Sequence, residues 1–166
     1  MTDVVLVGCT KTKRDYSAEA RDLYDESPLF RKRRRVARIR GDWWGILSAE
    51  HGLVRPENWL DPYDTYIGNV DSEAWGEKVL DVLLDDLARH DDPSVTIFAG
   101  KKYVDPLVPG LEAEGYEVLD PLCGLIPGQR MSKLDDMAEE TEQATLVAAT
   151  DGGNTHGVEP GSDRDV

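Results

Sequence analysis

The sequence predicts an α/β protein: a single three-layer domain whose mostly parallel, four-stranded sheet is flanked by helices. Three observations lead there. Short β-branched runs closed by glycine alternate with longer stretches of helical period. Strands and helices take turns along the chain, the pattern of a parallel sheet covered on both faces. The 166 residues are the size of one ordinary domain and can bury about two-thirds of their unfolded surface.

Each element has its own signal. Residues 3–8 (Asp-Val-Val-Leu-Val-Gly) read as a buried strand, followed by a polar loop from Cys9 to Tyr16. Ser17-Ala18-Glu19-Ala20 resembles a helix cap with an acid in the first turn and predicts a short helix. Ser27 as N-cap and Pro28 at the first helical position open a second helix, which runs to about Arg40 and stops at Gly41. Trp43 to Ser48 is the second strand. A long loop, Ala49 to Val70, follows; loops of that length inside a small domain are usually functional. Ser72 to His90 carries Trp75, Val79, Leu80, Leu83, Leu84 and Leu87 on one stripe and predicts the longest helix. Val95 to Gly100 is the third strand. Tyr103 to Glu114 is a helix with an expected break near Pro109-Gly110, Tyr116 to Leu119 the fourth strand, and Gln129 to Glu142 the last helix. The domain is expected over residues 1–144. The composition changes from about Thr145, and 145–166 reads as an acidic tail, disordered from about Thr150.

Net charge is −14 with a pI of about 4.5. Of the 33 acids 20 are Asp, and of the 19 bases 12 are Arg, a balance similar to that of proteins from salt-in halophiles. Seven of the bases (Arg31, Lys32, Arg33, Arg34, Arg35, Arg38 and Arg40) fall within ten positions. That run reads either as a solvated helix face or as a nucleic-acid surface using Arg31, Arg33, Arg34, Arg35 and Arg38. Two cysteines are too few for a disulfide framework. No stretch approaches the ~18 apolar residues of a membrane span, and Met1-Thr2-Asp3 leads straight into the first strand, so a cytoplasmic protein is expected. The residues name no cofactor, and no metal-ligand spacing stands out.

In parallel sheets ligands sit beyond the carboxyl ends of the strands. Four segments lie there. Cys9-Thr10-Lys11-Thr12-Lys13 offers a thiol, two hydroxyls and two amines suited to phosphate, carboxylate or a developing oxyanion. It is no Walker loop, because the glycine spacing is missing. Ser48-Ala49-Glu50-His51-Gly52 supplies a candidate proton-transfer group in His51. Gly100 to Tyr103 places a helix start, favourable to anions, at the third strand. Pro121 to Gln129 brings an amide side chain to the same rim. The long loop adds Tyr63 and Tyr66 for stacking and Asp64 as proton acceptor. The predicted catalytic set is Asp64, His51 and Lys11, with Cys9, Thr10, Lys13, Ser48, Tyr63, Gly100, Tyr103 and Gln129 binding the ligand. The reading favoured is an enzyme acting on a nucleobase, nucleotide or nucleic acid by N-glycosidic or base-transfer chemistry. The alternative is a non-catalytic domain that binds nucleic acid, or senses a ligand, through the basic helix.

The series Val7-Gly8-Cys9-Thr10-Lys11-Thr12-Lys13, Leu23-Tyr24, Ser27-Pro28-Leu29-Phe30, Ile46 to Leu53, Pro62-Tyr63-Asp64, Ala99 to Tyr103, Pro121-Leu122, Gly124-Leu125 and Gly128-Gln129 resembles a family known only as domain of unknown function 6884, over residues 3 to about 140. More distantly, Cys9, Lys11 or Lys13, Ser27, Gly52 to Glu57 and Tyr63-Asp64 stand in an order similar to the lysine-motif domain of archaeosine synthase, a tRNA base-modifying enzyme. The Pro-Tyr after its lysine and the His after its serine have no counterpart here. That resemblance adds Ser27 to the ligand-binding set. A fainter similarity, to uracil-DNA-glycosylase-like and YaaA-like α/β proteins, implies a base or nucleic acid as ligand.

Overall fold

A computed structural model describes residues 1–154, with side chains to Val147. Its elements run β1 (Thr2–Gly8), β2 (Ala18–Glu19), α1 (Ala20–Leu23), α2 (Pro28–Arg40), β3 (Trp43–Ser48), β4 (Gly52–Val54), β5 (Trp59–Leu60), a 3-10 turn (Ile67–Asn69), α3 (Ser72–Leu87), β6 (Pro93–Phe98), α4 (Lys101–Val104), α5 (Val108–Ala113), β7 (Glu117–Leu119) and α6 (Pro127–Asn154). The main sheet has the order β4-β3-β1-β6-β7. β3, β1, β6 and β7 are parallel, with Val7 opposite Ile46 on one side and Phe98 on the other. The class is α/β, as the alternation predicts.

β1 is central, and its side chains divide the core. Val5 and Val7 point into a cluster with Phe30, Val36, Ala37, Ile46, Leu134 and Ala138, under α2 and α6. Val4 and Leu6 point into another with Val79, Leu83, Leu87, Ile97 and Leu111, under α3 and α5. Period-2 alternation with both faces covered is why the strand reads as an unbroken apolar run. The crossover from β1 to β3 passes over one face and those from β3 to β6 and from β6 to β7 over the other. Strand order therefore reverses between β1 and β6, and the crevice beyond their carboxyl ends is the switch point at which open α/β sheets hold ligands.

Four local expectations change. The long loop is not structureless: Gly52–Val54 returns antiparallel to β3 as a fifth, edge strand, turning on Gly52 at φ +76°. Ala18–Glu19 is a strand rather than the start of a helix, because the long loop supplies partners that a helix would not need. β2 pairs with β5, and the N–H groups of Ala20 and Arg21 donate to Asn58 O (2.7 Å) and Pro56 O (2.9 Å). The helix expected over 103–114 breaks at 105–107, and Pro109 lies in the first turn of α5, where its missing N–H costs nothing. α6 continues past Glu142 and Thr145 to Asn154. The rest of the expected tail lies outside the described residues.

Candidate functional site

Gly8 ends β1 where space is tight. A side chain there would meet Ala99 Cβ at 2.9 Å and Arg33 Nη1 at 3.4 Å, so the strand closes on a residue without one. The next residues form the floor of a cavity of about 460 Å³, lined by Cys9, Thr10, Lys11, Lys13, Asp64, Thr65, Tyr66, Ile67, Asn69 and Tyr103. This is the β1/β6 crevice, roofed by the segment that leads into α3. Cys9 Sγ and the Tyr103 hydroxyl lie 3.2 Å apart across it.

Buried hydroxyls fix one wall. The Tyr63 hydroxyl is hydrogen-bonded to Tyr24 and to Ser48 Oγ (2.7 Å), and Ser48 Oγ accepts the His51 N–H (3.0 Å). Trp75 Nε1 donates to Ser48 O at 2.9 Å. Burial pushes the Tyr24, Tyr63 and Tyr103 hydroxyls well above the ordinary tyrosine range, so they stay neutral. Lys13 lies over this wall: its ammonium is 4.4 Å from the Tyr63 ring centre and 5.9 Å from that of Tyr24. It donates to Lys11 O at 3.1 Å. Burial pulls Lys13 below the ordinary lysine value, while Cys9 and Asp64 pull the other way.

The roof is pinned from two sides. The β2–β5 ribbon and a Ser17–Asp61 hydrogen bond carry the long loop back towards the Cys9 turn. Thr65 bonds Glu50, and Lys102 Nζ donates to the Tyr66 hydroxyl at 3.0 Å, with the same ammonium 5.1 Å from the Tyr66 ring.

Of the residues expected to share a site, Cys9, Thr10, Lys11, Lys13, Asp64 and Tyr103 line this cavity together. Tyr63 and Ser48 stand behind it as the hydroxyl wall. His51 is exposed outside the lining, its ring edge-on to Tyr63 at 5.3 Å between centres. Ser27 is occupied as the α2 cap, accepting the Phe30 N–H at 3.2 Å. Gly100 caps α4, whose four residues are one turn and too short to act as an anion-binding helix end. Gln129 belongs to another groove, with Leu125, Gly128, Ser132, Lys133 and Asp136, where Oε1 accepts the Ile126 N–H at 3.2 Å at the head of α6.

The basic helix is largely committed within the protein. Lys32 pairs with Asp135 (2.6 Å) and Arg35 with Glu142 (2.5 Å), both on α6. Arg34 donates to Arg21 O (2.8 Å) and Arg31 to Asp25 O (2.7 Å). Arg33 is only 5% exposed and reaches Gly8 O. Arg38 and Arg40 are exposed.

Tyr66, expected to stack, also lines the cavity, whereas sequence reasoning passed over Thr65, Ile67 and Asn69. They follow Asp64 directly, and the signal available was that contiguity. It also passed over Arg130, whose Nη1 donates to Ala99 O at 3.1 Å at the end of β6. Among the described residues no group of three or more His, Cys, Asp or Glu side chains stands together to hold a metal, and no helix is long and apolar enough to cross a membrane.

The fold and the crevice define an α/β protein with its candidate site at the switch point of an open, mostly parallel sheet. A family model described as "Family of unknown function (DUF6884)" matches residues 4–136, and the chain belongs to that family. No curated protein and no solved structure matches it, so the likeness to archaeosine synthase and to the glycosylase-like proteins rests on the short motifs alone.

Proposed function

We propose that the cavity binds a nucleobase-bearing small molecule through an anionic group and that the chain is an enzyme acting on the bond between sugar and base. The observation that carries this is the composition of one crevice: two lysines, a carboxylate and two tyrosines in about 460 Å³, a volume suited to a single nucleotide. Lys11 and Lys13 hold the anionic group. Tyr66 and Tyr103 flank the planar part, and Asn69 and Thr10 provide hydrogen bonds to its edge. Asp64 is the catalytic carboxylate. As the glycosidic C–N bond breaks, its electron pair leaves with the base; Asp64 stabilises the positive charge left on the sugar and takes a proton from the attacking water or acceptor. Asp64 has this role rather than His51, because His51 stands outside the lining.

The nucleic-acid reading is less well supported, since Lys32, Arg34 and Arg35 of α2 meet acids or carbonyls of this chain and Arg33 is buried. The proposed compartment is the cytoplasm, where Cys9 and Cys123, both free thiols, stay reduced. The acid-rich composition fits a salt-rich interior.

The test is a melting-temperature screen of the full chain in high salt with bases, nucleosides and nucleoside monophosphates, followed by mass spectrometry of incubated mixtures for released base. A nucleotide or nucleoside should raise Tm in the wild type and in Asp64→Asn, and only the wild type should turn it over. A screen in which no such compound shifts Tm sinks the reading.

A further inference from the structure

Arg33 is a buried cation with no acid to answer it. Its side chain runs under the end of β1, where Nη1 donates to Gly8 O at 3.0 Å and reaches Cys9 O at 3.5 Å, while Nε has no partner. Among the described residues it makes no salt bridge. The charged and titratable groups that face it are Cys9, Tyr103 and Arg130, and the last repels it. Burial lowers its pKa to about 10, so it is still charged at neutral pH. A guanidinium in the interior without an acid partner is costly, and an anion bound close by would offset that cost.

The turn directly above is built to receive one. The N–H of Cys9 bonds Leu47 O and that of Arg14 bonds Leu23 O. Between them the N–H groups of Thr10, Lys11, Thr12 and Lys13 donate to no protein atom among the described residues. The carbonyls of Lys11 and Thr12 are occupied by the turn's own side chains, Lys13 Nζ and Thr10 Oγ1. Free amides, two ammonium groups and a guanidinium beneath them are the elements of an oxyanion seat.

We propose that the Cys9–Lys13 turn seats a doubly charged oxyanion, a phosphate group of the ligand, and that Arg33 is the buried counter-charge that makes the seat prefer the dianion. The preference is for charge as well as shape. Lys11 and Lys13 supply contact, and Arg33, fixed below the backbone, supplies a field that water cannot screen. This rests on the nucleotide reading of the same cavity and narrows it to phosphorylated ligands.

The experiment compares inorganic phosphate, inorganic sulfate, AMP and adenosine by titration calorimetry at pH 5 and pH 8 and constant ionic strength. A phosphate ester gains its second charge near about pH 6, so AMP should bind about tenfold more tightly at pH 8, and phosphate should follow it. Sulfate, doubly charged at both pH values, should change little. Arg33→Gln should erase the pH 5 to pH 8 gain for phosphate, Arg33→Lys should keep it, and Lys11→Ala should weaken binding at both pH values alike. Asp64 lines the same cavity and His51 stands edge-on to Tyr63, so Asp64→Asn and His51→Asn are run in parallel and should leave the gain intact. Loss of the gain in His51→Asn overturns the proposal, as does a rise shared by sulfate or a phosphate affinity that is flat with pH. If Arg33→Gln does not fold, the contrast between phosphate and sulfate in the wild type still decides. Adenosine binding without phosphate binding overturns the seat and leaves the nucleotide reading standing. Phosphate binding without AMP or any nucleoside in the ligand screen supports the seat and removes the nucleotide reading.

Discussion

Two basic segments lie close in the chain and end in opposite situations. Lys11 and Lys13, on the turn after β1, face a cavity shared with Asp64. The run from Arg31 to Arg40, on α2, is far denser in charge and mostly spoken for. α6 brings Asp135 and Glu142 to Lys32 and Arg35, and the end of β1 takes Arg33 into the interior. Density of charge in a sequence thus says little about availability. What decides is whether the fold packs an element carrying acids or carbonyls against it. α2 is a packing helix that happens to be basic, and the turn is a small basic segment whose lysines form no salt bridge among the described residues.

The comparison breaks most easily through the core. If α2 is held by its apolar face, Phe30→Ala should lower stability by about 3–5 kcal/mol in urea unfolding and leave the residual fold unable to present the turn. On the cavity side, Lys11→Ala with Lys13→Ala should weaken ligand binding by about tenfold or more, measured by calorimetry with AMP, while the midpoint in urea changes little. An intermediate effect is expected where the two regions meet. Ser48→Ala leaves the buried Tyr63 hydroxyl and the His51 N–H each short of a partner and should cost about 1–3 kcal/mol. A smaller effect is expected from Arg35→Ala. Its pair with Glu142 is about half exposed, and the loss should be under about 1 kcal/mol, with retention on heparin unchanged at moderate salt.

The smallest effect is a pH dependence. Burial holds Lys13 below the ordinary lysine value in the folded protein, so the unfolded chain binds more protons in the window just below that value. Folding therefore carries a cost at neutral pH that is relieved as pH rises through that window. Wild-type stability should gain on Lys13→Met there. A constant difference between the two would show that Lys13 is solvated and that its seat over Tyr63 is loose.

Much of the architecture was legible because β1, β3, β6 and α3 each carry their own signal: β-branched runs buried on two faces, or a stripe of Trp75, Val79, Leu83 and Leu87 at helical spacing. What was not legible depended on distant partners. Ala18–Glu19 is extended only because Trp59–Leu60 lies beside it. Pro109 reads as a breaker until the preceding helix is seen to have ended already. The site divides in the same way. Cys9, Lys11, Lys13 and Tyr103 follow from the rule that ligands sit at strand ends, and their cavity lies where the rule points. Ser27, His51 and Gln129 were candidates by type and order, and the structure gives their side chains other work or places them elsewhere. The burial of Arg33 could not be foreseen, since a helix-face arginine in a run of arginines looks solvated until β1 is laid against it.

Tyr103 has one further consequence. Among the partly buried side chains of the described residues it alone packs against both halves of the core, the α2/α6 half and the α3/α5 half, and its hydroxyl meets Cys9 at the cavity floor. A molecule resting on that floor touches both halves at once. Occupancy would then act as a clasp, making the two layers melt as one transition, and amide protons deep in β1 and β6 would slow their exchange together on binding, although neither strand reaches the ligand.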